Sequence, residues 1–162
     1  MKSDSAPGNY KTKRYLRAAV FAALLMWCAG FSIAPLFPDS PVTAVLYPVL
    51  KRDYGIVCHQ RDVKTFAVFG HKLLVCARCT GIYFGALIIS FVSLFIIKKI
   101  ILDLKLLYAA MIPMALDVLL TTFGVYQYSK YLAFLTGLFF GSVVFIYILA
   151  AFENNFLDDK HF

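Results

Sequence analysis

Two short clusters between Cys58 and Cys79 contain the side chains of this chain that could do chemistry. The first is Cys-His-Gln-Arg at residues 58–61, and the second is Cys-Ala-Arg-Cys at residues 76–79. Thiolates and imidazoles bind zinc and other soft metals, and cysteine pairs also exchange disulfides. The residue types therefore predict a functional site, and their spacing must decide between these chemistries.

A metal site is the leading interpretation. The two residues between Cys76 and Cys79 let both sulfur atoms point at one centre, which is common in zinc sites. Adjacent residues rarely bind one ion together, so we expect either Cys58 or His59 to join that pair and another group to complete the set. The candidate zinc ligands are Cys58, His59, Cys76 and Cys79, with His71 as the nearest further candidate.

Two other interpretations of the cysteines stay open. A Cys-x-x-Cys pair at a helix start, beside an arginine, favours thiol–disulfide exchange, with a lipid quinone as one partner. That chemistry needs a second thiol pair, and the remaining cysteine, Cys28, falls within a hydrophobic segment. A structural disulfide from Cys58 to Cys76 or Cys79 would form on an oxidising face. The sequence has no haem-attachment or nucleotide-binding signature.

Charged residues near the clusters extend the candidate site. A buried guanidinium needs a counter-charge or an anionic ligand, and Asp117 is the single charge in the third hydrophobic segment. Asp117 could pair with an arginine or handle ions, so ion or small-anion transport is the second alternative function. The residues expected around the site, or in contact with an anionic lipid or small anion, are Arg61, Arg78, Asp117 and Tyr83.

The composition indicates an integral membrane protein. Hydrophobic residues make up 61% of the chain and charged residues 15%, where a soluble domain has about 25% charged residues. Four apolar segments approach the length of about 20 residues that a membrane-spanning helix needs. We therefore predict an all-α membrane domain at 15–152, a bundle of four transmembrane helices at about 15–37, 79–97, 106–126 and 131–152.

The segments outside these helices are predicted to differ from one another. Residues 1–14 should form a disordered polar arm and residues 153–162 a polar tail. The Cys/His loop at 38–78 joins the first two helices, and its apolar stretch at 42–50 is too short to span, so it should be interfacial or re-entrant. The tyrosines at 126, 128 and 131 suit an aromatic belt at headgroup level.

The distribution of charge suggests an orientation and limits the partners. The net charge is +7, and lysine and arginine are slightly more frequent on the side that contains the N-terminus. This bias favours a multi-pass protein of the cell membrane with a cytoplasmic N-terminus and the Cys/His loop on the outer face. The lipid bilayer is the expected partner. No basic-aromatic stripe indicates nucleic acid, and nothing indicates an oligomeric state.

Small residues one helical turn apart occur on two of the predicted helices. The pairs are Gly81 with Gly85, and Gly137 with Gly141. Small residues let helix backbones approach closely in lipid. We expect them to pack the second and fourth predicted helices together near the cysteines.

The region around the clusters is similar to a known family. Cys-His-Gln at 58–60, Lys-Thr-Phe at 64–66, Gly70 and the run from Val75 to Gly85 resemble the DUF2085 family of prokaryotic membrane proteins. A second element of that family is matched by Pro113, Asp117, Thr136, Gly137 and Gly141. Val118 stands where the family usually has glycine, and the polar stretch after it is reduced. The resemblance covers about residues 50–145 and implies that the two elements act together, but it supplies no activity.

Overall fold

The chain forms five helices and a small hairpin within the part that the structure describes. The computed structural model describes residues 7–95 and 104–158. The helices are α1 (Pro7–Leu36), α2 (Pro41–Val57), α3 (Ala77–Ser93), α4 (Leu104–Thr122) and α5 (Lys130–Asp158), and the strands are β1 (Thr65–Val68) and β2 (His71–Cys76). The strands pair antiparallel, and Cys76 leads directly from β2 into α3.

Three helices are long and apolar enough to cross a membrane, judged by length and composition. The segments are Thr12–Ile33 within α1, Leu104–Thr122 in α4 and Lys130–Phe152 within α5. Only Ala110 and Asp117 of α4 are buried, so most of its apolar side chains face outward. A helix satisfies its own backbone hydrogen bonds, and such a surface therefore suits hydrocarbon. The remaining predicted span, the second one at 79–97, corresponds to α3, which is apolar but has only 17 residues.

The four glycines of α3 and α5 lie where these two helices are closest. A Cβ atom added at any of them would come within 3.0 Å of a backbone carbonyl oxygen on the other helix. Only hydrogen fits at these positions, so the two backbones pack directly on each other. The glycines are Gly81, Gly85, Gly137 and Gly141, and the α3–α5 pair holds the start of α3 in place.

Helices α1 and α2 complete the core around the start of α3. The Tyr54 hydroxyl of α2 donates a hydrogen bond to the Trp27 carbonyl of α1 over 2.7 Å. Gly30 leaves room for this contact, because an added Cβ there would collide with the Tyr54 hydroxyl. At the opposite end of α3, the Arg17 guanidinium of α1 donates to the Ser93 carbonyl over 2.6 Å. Helices α1 and α3 therefore run in opposite directions.

The ends of several predicted segments differ from the structure. Helix α1 begins at Pro7, so residues 7–14 are helical and not a disordered arm; proline is favoured in the first turn of a helix. Helix α5 continues to Asp158, past the predicted start of the polar tail. Helix α3 covers 77–93 where 79–97 was predicted. Residues 1–6, 96–103 and 159–162 lie outside the described residues, together with those parts of the predictions.

The predicted Cys/His loop contains more regular structure than expected. Its apolar stretch at 42–50 belongs to a helix that continues to Val57. Lys51 and Arg52 favour this continuation, and the buried Tyr54, which bonds to Trp27 of α1, holds the last turns in place although Gly55 is a poor helix former. The chain is all-α in class, as predicted, and the hairpin β1–β2 is a small addition within this loop. Its turn residues Phe69 and Gly70 have φ of 52° and 81°, the left-handed conformation that a tight two-residue hairpin turn needs.

Candidate metal centre

Three local structures deliver the three loop cysteines to one point. Cys58 directly follows the last residue of α2, and its backbone N–H still bonds to the Tyr54 carbonyl over 2.9 Å. Cys76 ends β2 and is the N-cap residue of α3, while Cys79 lies in the first turn of that helix. The hairpin folds the chain back after Cys58, so that β2 returns to the end of α2.

The sulfur atoms of Cys58, Cys76 and Cys79 lie within 4.8 Å of one another. All three are free thiols, with Cys58 buried and the other two half-buried. The Cys76 backbone N–H donates a hydrogen bond to the Cys58 sulfur over 3.2 Å. This arrangement brings three soft ligand atoms to one centre, and a thiolate there would be stabilised by a backbone N–H.

Electrostatics favour a thiolate at Cys58. Hydrogen bonds from the side chains of Cys76 and Cys79 lower the pKa of Cys58 far below its usual value, although burial acts in the opposite direction. Backbone hydrogen bonds from Cys76 and Gln60 lower that pKa further. The N-terminus of α3 also favours negative charge, because Cys76 is its N-cap residue and Cys79 lies in its first turn. The same side-chain hydrogen bonds, together with burial, raise the pKa of Cys79, so the group without a metal favours a single thiolate at Cys58. A cation bound by all three sulfurs would displace the remaining protons.

The two loop histidines are not part of this group in the structure. His59 follows Cys58, but it is exposed, and the chain turns at Gln60, which has a φ of 44°. His71 is exposed at the start of β2. Among the described residues, the group of possible metal ligands at this point consists of the three cysteines alone.

The fourth cysteine lies in the same core but outside the group. Cys28 of α1 is buried and shares a hydrophobic cluster with Cys58. Tyr83 packs against this cluster from α3, one turn after Cys79, and its ring centroid lies 6.0 Å from that of Trp27. Cys28 and Tyr83 thus contribute to the apolar wall beneath the three thiols.

Asp117 pairs with Arg78, which is one of the two arginines that the sequence offered as partners. The ion pair joins the Arg78 Nη2 and Asp117 Oδ2 atoms, and the Asp117 side chain is only 3% exposed. Arg78 lies between Cys76 and Cys79, so α4 is tied to the start of α3 beside the thiols. Arg61 is exposed and lies outside this pair.

Two tyrosines that the sequence placed in an aromatic belt lie beside the candidate site. The Tyr126 hydroxyl donates a hydrogen bond to Asp117 Oδ1, and this bond raises the pKa of Tyr126. Burial, followed by the charge of Cys76, raises the pKa of Tyr128 to about 12. The Lys64 ammonium lies 4.8 Å from the centre of the Tyr128 ring. No local spacing relates these tyrosines to the cysteines, so tertiary packing alone brings them together.

Comparisons with known proteins also indicate a membrane protein. Residues 58–147 match the model of a family described as a predicted membrane protein, DUF2085. An uncharacterised protein of Methanocaldococcus jannaschii is 34% identical over 149 residues, covering 86% of this chain and 94% of that protein. An uncharacterised protein of Methanothermobacter thermautotrophicus is 34% identical over 86 residues, covering 52% of this chain and 78% of that protein. No solved structure matches.

The family match begins at Cys58 and includes both cysteine clusters, Arg78, Asp117 and all four packing glycines. The relative from Methanocaldococcus jannaschii extends the similarity over most of the chain, well beyond this region. The chain is a member of the DUF2085 family of predicted membrane proteins.

Proposed function

We propose that this protein is a four-span membrane protein that binds zinc through Cys58, Cys76 and Cys79 at one membrane face. The observation that carries the proposal is the grouping of the three sulfurs within 4.8 Å. Zinc–sulfur bonds of about 2.3 Å in a tetrahedral site put sulfurs about 3.8 Å apart. Small rotations of the cysteine side chains would therefore bring them to bonding distance.

The charge of such a site supports zinc. Three thiolates around a divalent ion leave a net negative charge, which the N-terminus of α3 would offset. The hydrogen bond from the Cys76 N–H to the Cys58 sulfur acts in the same way. Since no fourth cysteine, histidine or carboxylate joins the group among the described residues, the fourth coordination position is available to water or to a small ligand.

The directions of the helices support α3 as a further membrane span, with the cysteines at one end of the bundle. Arg17 near the start of α1 bonds to Ser93 at the end of α3, and Arg78 at the start of α3 pairs with Asp117 in the second half of α4. Helix α3 would measure about 26 Å at 1.5 Å per residue, slightly less than a bilayer core of about 30 Å. The cysteines then lie on the face opposite the N-terminus, the outer face in the orientation favoured by the sequence.

The test is metal analysis of the full chain purified in detergent, paired with a count of reactive thiols before and after denaturation. We expect about one zinc per chain, as for a mononuclear site. Cys76→Ser should abolish zinc binding. Cys28→Ser is the matched control, because it removes a buried thiol outside the group and should leave the metal content unchanged. The proposal would be refuted if the unmodified chain contained no zinc and if Cys58 and Cys79 reacted equally in the unmodified chain and in Cys76→Ser.

Thiol–disulfide exchange is the second candidate, and the low pKa of Cys58 favours it. A thiolate next to two further thiols can attack a disulfide, and three thiols allow a disulfide to move between partners. The same thiol count distinguishes the two candidates. Two thiols that become reactive only after reduction, with no metal present, would contradict zinc binding and indicate a disulfide. Exchange further requires that this disulfide oxidise an added dithiol, whereas a structural disulfide would not.

Ion transport through Asp117 has less support than either candidate. Both carboxylate oxygens already have partners, Arg78 and Tyr126, so this residue is bound within the bundle. Arg78 still has a free donor, because its Nε is buried and without a hydrogen-bond acceptor among the described residues. That N–H could bind a small anion next to the metal, which would give Arg78 its anion contact without a transport pathway.

A further inference from the structure

A second concave site lies apart from the cysteines, between the first turns of α2 and the turn of the hairpin. Its volume is about 460 Å³, and its walls include Thr43 and Tyr47 from α2, and His71 and Lys72 from β2. Ligand sites commonly have volumes of about 300–1,000 Å³. None of the three grouped cysteines lines this cavity.

The cavity is rich in hydrogen-bond donors. Thr43 is 5% exposed, and its hydroxyl oxygen is buried with no hydrogen-bond partner. The cavity also meets the start of α2, where Ser40 makes no side-chain cap and the first turn has no acidic residue. Pro41 at the first helical position has no N–H, and the Ala44 N–H bonds to the Ser40 carbonyl, so Val42 and Thr43 are the residues of this turn whose N–H groups can favour a bound anion. The Thr43 hydroxyl would reach a ligand in the cavity by a rotation of its side chain, and an unpaired buried hydroxyl is costly until it gains such a partner.

The cationic wall can turn toward an anion. The Lys72 ammonium pairs with Asp62 over 3.1 Å, but both side chains are largely exposed, at 52% and 78%. Exposed ion pairs of this kind contribute little to stability, so Lys72 can exchange this partner at small cost. His71 is exposed beside it and adds a further donor.

The surroundings of the cavity indicate lipid. Its wall begins at Pro38, only a few residues after the candidate span Thr12–Ile33, so it lies near the end of that span. Helix α2 exposes an apolar surface next to it, since only Thr43 and Tyr54 of this helix are buried. Val45 is 74% exposed. A surface that is apolar beside a basic cavity matches an acyl chain beside a phosphate.

We propose that this cavity binds the phosphate group of an anionic phospholipid, with Lys72, His71 and the start of α2 as its donors. The exposed apolar face of α2 contacts the acyl chains. The site is independent of the metal proposal, because it shares no residue with the cysteine group. It would fix α2 and the hairpin, and therefore Cys58, at the level of the lipid headgroups.

Native mass spectrometry of the full chain in micelles containing equal amounts of phosphatidylglycerol and phosphatidylcholine tests the site. We expect preferential retention of phosphatidylglycerol. The double variant H71A/K72A should reduce that retention about tenfold or more, as expected for the loss of charge-assisted hydrogen bonds. Thr43→Val, which removes only the hydroxyl, should reduce it by a smaller factor.

The matched control is Arg52→Ala, which removes an exposed positive charge from the same helix without touching the cavity. It should retain phosphatidylglycerol like the unmodified chain. Circular dichroism of each variant checks that the helices are intact. Equal retention of the two lipids, or an equal loss in Arg52→Ala and the double variant, would overturn the proposal. Displacement of phosphatidylglycerol by millimolar inorganic phosphate would also overturn it and assign the cavity to a free anion.

Discussion

The backbone N–H of Cys76 donates a hydrogen bond to the sulfur of Cys58 across 3.2 Å. This contact joins Cys58, which directly follows α2, to Cys76, the last residue of β2, and so closes a loop of the chain. Two of the three grouped thiols therefore have their relative position set by the backbone. The third, Cys79, follows from the helical turn that begins at Cys76. The cysteine group is thus positioned by the end of α2, the end of β2 and the first turn of α3, and the hydrophobic cluster that contains Cys28 packs against it.

The first prediction concerns the ligand set. His59→Ala and His71→Ala should each retain the bound metal, because both imidazoles are outside the cysteine group. Cys79→Ser should lose most of it, since a hydroxyl is a poor ligand for a soft ion. Cobalt substitution provides the measurement, through the thiolate-to-cobalt charge-transfer absorption. A loss of this absorption in His59→Ala would show that the imidazole swings in as a ligand.

The second prediction concerns the ion pair between Arg78 and Asp117. Asp117→Asn leaves the partly buried guanidinium without its counter-charge, and such a loss costs about 3–5 kcal/mol when the pair is buried. The thermal midpoint in detergent should therefore fall markedly, together with the metal content, because Arg78 lies between Cys76 and Cys79. The change keeps the size and shape of the side chain, so a packing defect is not introduced.

Asp62→Asn is the matched control for this variant. It removes the same charge from the exposed pair with Lys72, where both side chains are largely in water. Exposed pairs contribute about 0–1 kcal/mol. An equal fall in the thermal midpoint of both variants would contradict the role assigned to Asp117.

The sequence was most informative where the chemistry is local. Cys76 and Cys79 share a helical turn, so their convergence could be predicted from spacing alone. The need of Asp117 for a cationic partner also followed from its apolar surroundings, although the choice of Arg78 over Arg61 did not. That choice depends on how the start of α3 packs against α4, which no local pattern encodes.

Other features could not be predicted because they depend on the backbone path. His59 was a ligand candidate through its position next to Cys58, but its side chain is exposed whereas the Cys58 side chain is buried. Residues 71–76 lack the strict alternation of a half-buried strand, so β2 gave no clear signal. The Phe69-Gly70 turn was the available sign of a hairpin. Tyr126 reaches Asp117, which lies only nine residues earlier, because the chain turns back after the end of α4, and the sequence did not predict the path of that turn.

The third prediction concerns the glycine contact between α3 and α5. Gly137→Ala should separate the helices, because the added methyl group meets the Arg78 backbone carbonyl, which cannot move aside easily. Overpacking of this kind typically costs about 1–3 kcal/mol. Because Arg78 lies between two of the cysteines, metal affinity should fall with stability. The measurements are the thermal midpoint and zinc retention during chelator titration.

Gly55→Ala is the matched control for the glycine contact. This glycine also lies in a helix, but an added Cβ would be 3.8 Å from the nearest atom, an ordinary contact. Alanine is the better helix former by about 1 kcal/mol, so this variant should be as stable as the unmodified chain or more stable. If Gly137→Ala behaved in the same way, close backbone packing would not be what holds α3 to α5.

The fourth prediction concerns alkaline pH and Tyr126. The hydrogen bond to Asp117 raises the pKa of this phenol above its usual value of 10.0. The unfolded chain therefore loses this proton first as the pH rises. The stability from the bond is complete below pH 10 and is lost as the pH rises through the pKa of the folded state. Tyr126→Phe should lower the thermal midpoint by a constant amount below pH 10, and the difference from the unmodified chain should shrink at higher pH.

Tyr131→Phe is the matched control, because it changes an exposed tyrosine, and its difference from the unmodified chain should not shrink at higher pH. A difference that stays constant across the alkaline range would mean that the Tyr126 phenol does not donate to Asp117.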